Sequence, residues 1–367
     1  MMKKSLNAQS RRSFCLKTAS IFSSTFAVSN LSVAKSITTP QIPLGFDNFS
    51  IRALGWKAPK LLTYAHSQKV DTILFSDLEV YESFDPSYLN EIRQEAKRLG
   101  ISIQTGTGGI CPTSKSFKDK YGTAEEHLKL LIQVAKDVGS SVARCYLGSM
   151  KDRLGKGGIQ QHITKTIEVL KKVKKEALEA GVKIAIENHA GDLHSLELVQ
   201  LIELAGKDYV GATIDSGNAT WTLENPIDTL RNLAPYAVSS GIRDSMVWKS
   251  ENGVKVQWTA MGEGCTDLKT FTSEWKRLCP SLPMQLEIIS GFAKEFPYLK
   301  DEFWPPYSNI SASGFSRFIS LSRKGKKIEP YATQAGKDPQ KAKQEYQLAE
   351  LERSFKYCKN ILGIGLG

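Results

Sequence analysis

From residue 41 onward, short apolar runs alternate with longer stretches in which apolar residues recur every three to four positions. The short runs lie at 42–46, 72–75, 101–105, 141–146, 182–186, 210–214, 237–242 and 284–288. They are rich in Ile, Val and Leu, as strands buried on both faces are. Helical spacing fills 86–99, 123–138, 159–180 and 267–278. In the third of these, Ile163, Ile167, Leu170, Val173, Ala177 and Leu178 share one face, with lysines on the other. Gly100, Gly139 and Gly181 stand just past predicted helix ends, where a left-handed cap is wanted. Eight strands alternating with helices predict an α/β fold, a (β/α)8 barrel over residues 41–323. An open doubly wound sheet is the competing arrangement, but no G-x-G-x-x-G follows the first strand.

After the eighth run the pattern loosens. Residues 296–307 are rich in Pro and aromatics and predict a loop beside the barrel mouth, and 313–323 predicts the last barrel helix. A basic linker opens the extension 324–367. Within 339–361, Leu348, Leu351, Phe355 and Cys358 form one helical stripe suited to docking on the barrel exterior.

The first 34 residues read as an address. Lys3, Lys4, Arg11 and Arg12 form a basic start, Ser10-Arg11-Arg12-Ser13-Phe14 resembles a twin-arginine export motif, and Ser32-Val33-Ala34 offers a cleavage site. Cys15 lacks the small residue before it that a lipid anchor needs. The expectation is a signal peptide over 1–34 and a periplasmic or secreted protein. Five basic and no acidic residues lie in that segment, so cleavage takes the formal net charge from +11 to +6. The remaining surplus sits in runs such as Lys171–Lys175, which suit solvated helix faces better than nucleic-acid binding. Five cysteines remain beyond the segment, none at C-x-x-C spacing, which argues against a full disulfide framework.

Three predicted strands end in a carboxylate. Residues 182–186 run into Glu187, 210–214 into Asp215 and 283–286 into Glu287. An acid at the end of a buried strand is costly to desolvate unless a cation receives it. In a closed parallel barrel, the strand C-termini converge on one mouth, so three such endings describe a single site.

In their order, Ile186-Glu187-Asn188-His189, Ile214-Asp215-Ser216-Gly217-Asn218, Ile242-Arg243-Asp244 and Leu286-Glu287-Ile288 resemble the sugar phosphate isomerase/epimerase family. These are xylose-isomerase-like TIM barrels, and the likeness spans roughly 41–323. It implies a divalent metal held by Glu187, Asp215 and Glu287, with Glu187 and Glu287 also an acid/base pair on the sugar. The fourth ligand of that family, a histidine on strand seven, is replaced here by Gly241. His189 could supply the missing ligand or contact a substrate hydroxyl. Three carboxylates without imidazole favour Mn²⁺ or Mg²⁺. Arg243 is open to two roles: steadying a developing enolate, or an ion pair with Asp244 or Glu287. Asn188, Asn218 and Gln257 are candidate hydroxyl binders, while Trp258, with Trp221 and Trp248 in predicted loops, offers rings for a sugar face. His66, His127 and His162 fall in helical stretches and are read as structural.

The resemblance implies an exported, metal-dependent carbohydrate enzyme that removes a proton α to a carbonyl, by isomerisation, epimerisation or β-elimination of a 3-keto-glycoside. The alternative is a carbohydrate-binding barrel that lost catalysis with its histidine. Cleavage at abasic DNA would need a histidine-rich multi-zinc site, and five histidines serve it poorly. Oligomeric state is left open.

Overall fold

The computed structural model describes residues 41–366. The expected export segment, 1–34, lies outside the described residues.

Eight parallel strands carry the barrel. They are β1 (Leu44–Asp47), β2 (Thr72–Phe75), β3 (Ser102–Gly109), β4 (Val142–Tyr146), β5 (Lys183–Glu187), β6 (Val210–Asp215), β7 (Ala237–Gly241) and, after an insertion described below, β10 (Met284–Leu286). Each pairs in parallel with its neighbour in sequence, and β10 returns to β1 with Leu44 opposite Met284. A parallel bridge from Ile242 to Leu286 joins the seventh and eighth strands and completes the ring. The predicted (β/α)8 barrel is therefore the fold. Ile73, Ile184, Ile186, Ala212 and Ile214 are buried because helices cover the outside while side chains fill the inside.

The helices follow their sequence signals closely. Pro86–Leu99 and Ala124–Val138 end on Gly100 and Gly139, both in the left-handed region. The single helix expected over 159–180 is instead two, Gly158–Lys172 and Lys174–Ala180. They part at Val173, whose backbone leaves helical values (φ −107°, ψ 10°) while its side chain stays in the core. Periodicity continues through such a joint and does not mark it.

The main departure follows β7. β8 (Asp244–Ser250) and β9 (Gly253–Thr259) form an antiparallel hairpin, and β11 (Ala293–Phe296), beyond β10, pairs with β9. Trp248 and Trp258 thus lie on strands, not in loops. The hairpin buries its own cluster, which includes Met246, Val256, Phe296 and Phe318. Glu251-Asn252 makes its two-residue turn, since Ser250 pairs with Gly253. Asn252, the second residue of that turn, is a turn-favouring type.

The C-terminal helix Pro339–Tyr357 docks as its stripe implied. Leu351, Phe355 and Cys358 are buried and Leu348 is partly so, with the Phe355 ring 5.8 Å from that of Phe46 on β1. Cys111, Cys145, Cys265, Cys279 and Cys358 are buried free thiols. Among the described residues, no helix is long and apolar enough to cross a membrane.

Candidate active site

The strand ends bring the three predicted carboxylates together. Glu187 closes β5, Asp215 closes β6 and Glu287 follows β10, and each is at most 3 % exposed. Their oxygens lie within 4.8 Å of one another, and among the described residues they form the one side-chain group placed to hold a metal ion. A fourth strand-end acid, Asp47 on β1, stands close enough for its charge and that of Glu287 to act on each other.

Two buried arginines already occupy this cluster. The Arg144 guanidinium, from β4, pairs with Glu187. Arg243 Nη2 pairs with Asp215 Oδ2 and also reaches Glu287 Oε2 at 2.5 Å. Of the two roles open to Arg243, the geometry builds the ion pair, with Asp215 and Glu287 as partners. Asp244 instead accepts backbone N–H bonds from Ser245 at 2.8 Å and Gly264 at 2.9 Å.

Four acids against two guanidinium groups leave an excess of buried negative charge. Protons relieve it where cations do not. Burial first, then the Glu287 charge, raises Asp47 to about 7. Burial likewise raises Asp215 to about 7, against the pull of Arg243. Burial holds Glu187 well above the usual carboxylate range. For Glu287, burial would act in the same direction, but Arg243 and Arg144 outweigh it and hold this carboxyl below its ordinary value.

The remaining predicted residues divide between support and cavity. Asn188 binds the backbone of Asp215 from both sides, accepting its N–H and donating to its carbonyl, each at 2.9 Å. Asn218 donates to Glu187 Oε1 at 2.9 Å, while its own N–H is capped by Asp215 Oδ1 at 2.7 Å. Trp258 stacks over the Arg243 guanidinium at 4.4 Å and donates to the Gly217 carbonyl at 2.9 Å. Gln257 Nε2 donates to the Glu329 carbonyl at 3.4 Å.

A cavity of about 300 Å³ opens at the mouth, within the size range of small-molecule sites. Of the three carboxylates, only Glu287 lines it. Beside Glu287 stand Arg144, His189 and Tyr146, with exposed Lys118 and Lys120 farther out. Asp215, Asn218, Arg243, Gln257 and Trp258 are not in its lining. The His189 ring stacks on Tyr146 at 3.7 Å, and its Nδ1 donates to the Gly148 carbonyl at 2.7 Å. That bond fixes the tautomer and leaves Nε2 as an acceptor. Burial, then the Arg144 charge, lowers His189 to about 4, so the ring is neutral. His127 also lines the cavity and bonds Thr107 Oγ1 at 2.6 Å, a position its helical setting did not suggest.

Arg144, Tyr146 and Asp47 were not singled out in the sequence. Arg144 had a signal, a lone charge inside the apolar run 141–146. Asp47 had another, a carboxylate directly after the first predicted strand.

The profile of the xylose isomerase-like TIM barrel family matches residues 63–289. This chain belongs to that family. The uncharacterized protein YihM of Escherichia coli (strain K12) is 23 % identical over 236 residues, 62 % of this chain and 66 % of that one, just under two thirds of its length. Among solved structures, a D-psicose 3-epimerase in the presence of D-fructose superposes with a TM-score of 0.57 at 14 % identity. That likeness covers 88 % of this chain and all of the other. An IolI protein with a bound zinc atom superposes at 0.53 and 15 % identity, over 78 % of this chain and all of that one. At such identities the likeness is one of fold.

The three carboxylates suit a divalent ion in kind and in spacing, and Arg243 stands against two of them. Glu187, Asp215 and Glu287 would hold such an ion, which would polarise a substrate carbonyl, and Arg243 Nη2 now contacts Asp215 Oδ2 and Glu287 Oε2. Gly241 adjoins the same two oxygens. A Cβ built there would lie 2.9 Å from Glu287 Oε2 and 3.3 Å from Asp215 Oδ2, so a side chain at 241 points into the pair.

Proposed function

We propose that this barrel binds a sugar or keto-sugar at its mouth and moves a proton on the carbon next to the carbonyl, as an isomerase, epimerase or β-eliminating lyase would. The observation that carries the reading is the cavity-facing set of Glu287, Arg144 and His189 at converging strand ends. Glu287 is the ionised carboxylate open to that cavity and is the proton acceptor. Arg144, always charged, stands beside it and holds the oxygen on which negative charge develops. His189, neutral and with Nε2 free to accept, takes a hydroxyl hydrogen and fixes the sugar's orientation. Glu187, behind Arg144, aligns that guanidinium. Family membership and the fold shared with a sugar 3-epimerase support the substrate class. Export through residues 1–34 belongs to the same proposal, and an extracytoplasmic site favours a sugar without phosphate.

Turnover of keto-sugars by Glu187→Gln and Glu287→Gln tests it. Loss in both is expected, and full turnover in both would sink the assignment. A second reading, a sugar-binding barrel without catalysis, is favoured by one observation: an arginine pairs each of the three carboxylates. Calorimetry that finds sugar binding, with no exchange of substrate protons into solvent, would select it.

A further inference from the structure

We propose that Arg243 is the resident cation of this site, fixed between Asp215 and Glu287 where a divalent ion would otherwise sit, and that the native protein holds no stoichiometric metal there. Four independent features build the place for this guanidinium. Its Nη2 meets both carboxylates while the side chain is 1 % exposed. Its backbone is locked to Ser216, whose Oγ accepts the Arg243 N–H at 2.9 Å and donates to the Arg243 carbonyl at 2.6 Å. Gly217 gives the side chain its path, since a Cβ at 217 would collide with Arg243 Cγ and Cδ. Trp258 covers the guanidinium, and Trp221 stacks on Trp258 at 4.2 Å.

Gly241 then has a reason beyond loss. A ligand arriving from 241 would enter the space between Glu287 Oε2 and Asp215 Oδ2 that the guanidinium spans. A guanidinium cannot give up its proton to make way for a metal ion, and two cations on the same pair of oxygens repel. Arg243 is thus a positioning residue. It holds Asp215 and Glu287 in register without facing the cavity. The inference does not depend on the reaction proposed above, because it concerns what occupies the carboxylate pair, whatever the site turns over.

Metal analysis of the full chain after dialysis against Mn²⁺, with melting curves in Mn²⁺ and in EDTA, tests it directly. Wild type should retain far less than one equivalent and melt at the same temperature in both. Gly241→His alone should take up no more Mn²⁺ than wild type, because Arg243 still pairs with both carboxylates. Arg243→Ala combined with Gly241→His should take up about one Mn²⁺ per chain and melt higher with the ion present. Stoichiometric Mn²⁺ in wild type, or in Gly241→His alone, would overturn the proposal. So would a folded double variant that takes up none. If the double variant does not fold, the wild-type metal content still decides. A catalytically silent protein without Mn²⁺ would leave this inference standing while the proposed reaction fell.

Discussion

At the scale of single residues, the site is organised by which carboxylate keeps its charge. Burial raises three of the four acids, and two arginines hold the fourth, Glu287, below its ordinary value at the cavity wall. Removing the Arg243 side chain strands two buried acids, and breaking such a pair costs about 3–5 kcal/mol. Arg243→Ala should therefore lower the unfolding free energy by that order in denaturant titration, and a change under about 1 kcal/mol would deny that the pair is buried as described. Gly217→Ala reaches the same side chain from the other direction. Its added Cβ should destabilise by about 1–3 kcal/mol through overpacking against Arg243. A neutral effect would mean Arg243 takes another path. Much of this site was legible in the sequence, because an acid ending a buried strand is costly and conspicuous. Glu187, Asp215 and Glu287 announced themselves in that way. Arg144 and Arg243 did not show their partners, since those partners come from other strands and only closure of the barrel sets them side by side.

At the scale of elements, the barrel strands and most helices could be read from periodicity, and the hairpin β8–β9 could not. Asp244–Ser250 is nearly all buried, so its run carries no polar alternation of the kind that marks a half-exposed strand. The loop after β5 makes a pH prediction. Asp192 accepts N–H bonds from Gly148, His189 and Leu193, yet burial raises it from 3.8 to about 7. The folded chain then holds the proton more tightly than the unfolded one. Its contribution to stability is complete below about pH 4 and is lost as pH rises through about 7. The melting temperature of wild type minus that of Asp192→Asn should fall across this window. A difference that stays flat, or grows with pH, would contradict the account.

At the scale of the whole molecule, ring closure is what turns separate strand ends into one site, and the C-terminal helix braces the start of that ring. Gln347 Oε1 accepts the Ala53 N–H at 2.9 Å, just beyond β1, and Leu351 is fully buried against the barrel. Leu351→Ala should cost about 2–5 kcal/mol. Calorimetry should show a single transition moved to lower temperature, whereas an independently melting helix would separate it from the barrel. The central claim, that the mouth moves a proton at the carbon next to a sugar carbonyl, is tested most directly in heavy water. Keto-sugars incubated with wild type should gain deuterium at that carbon by NMR, and Glu287→Gln should lose roughly two to four orders of magnitude of that rate. Deuterium gained equally fast with Glu287→Gln, or none gained with wild type on sugars that it binds, would contradict it.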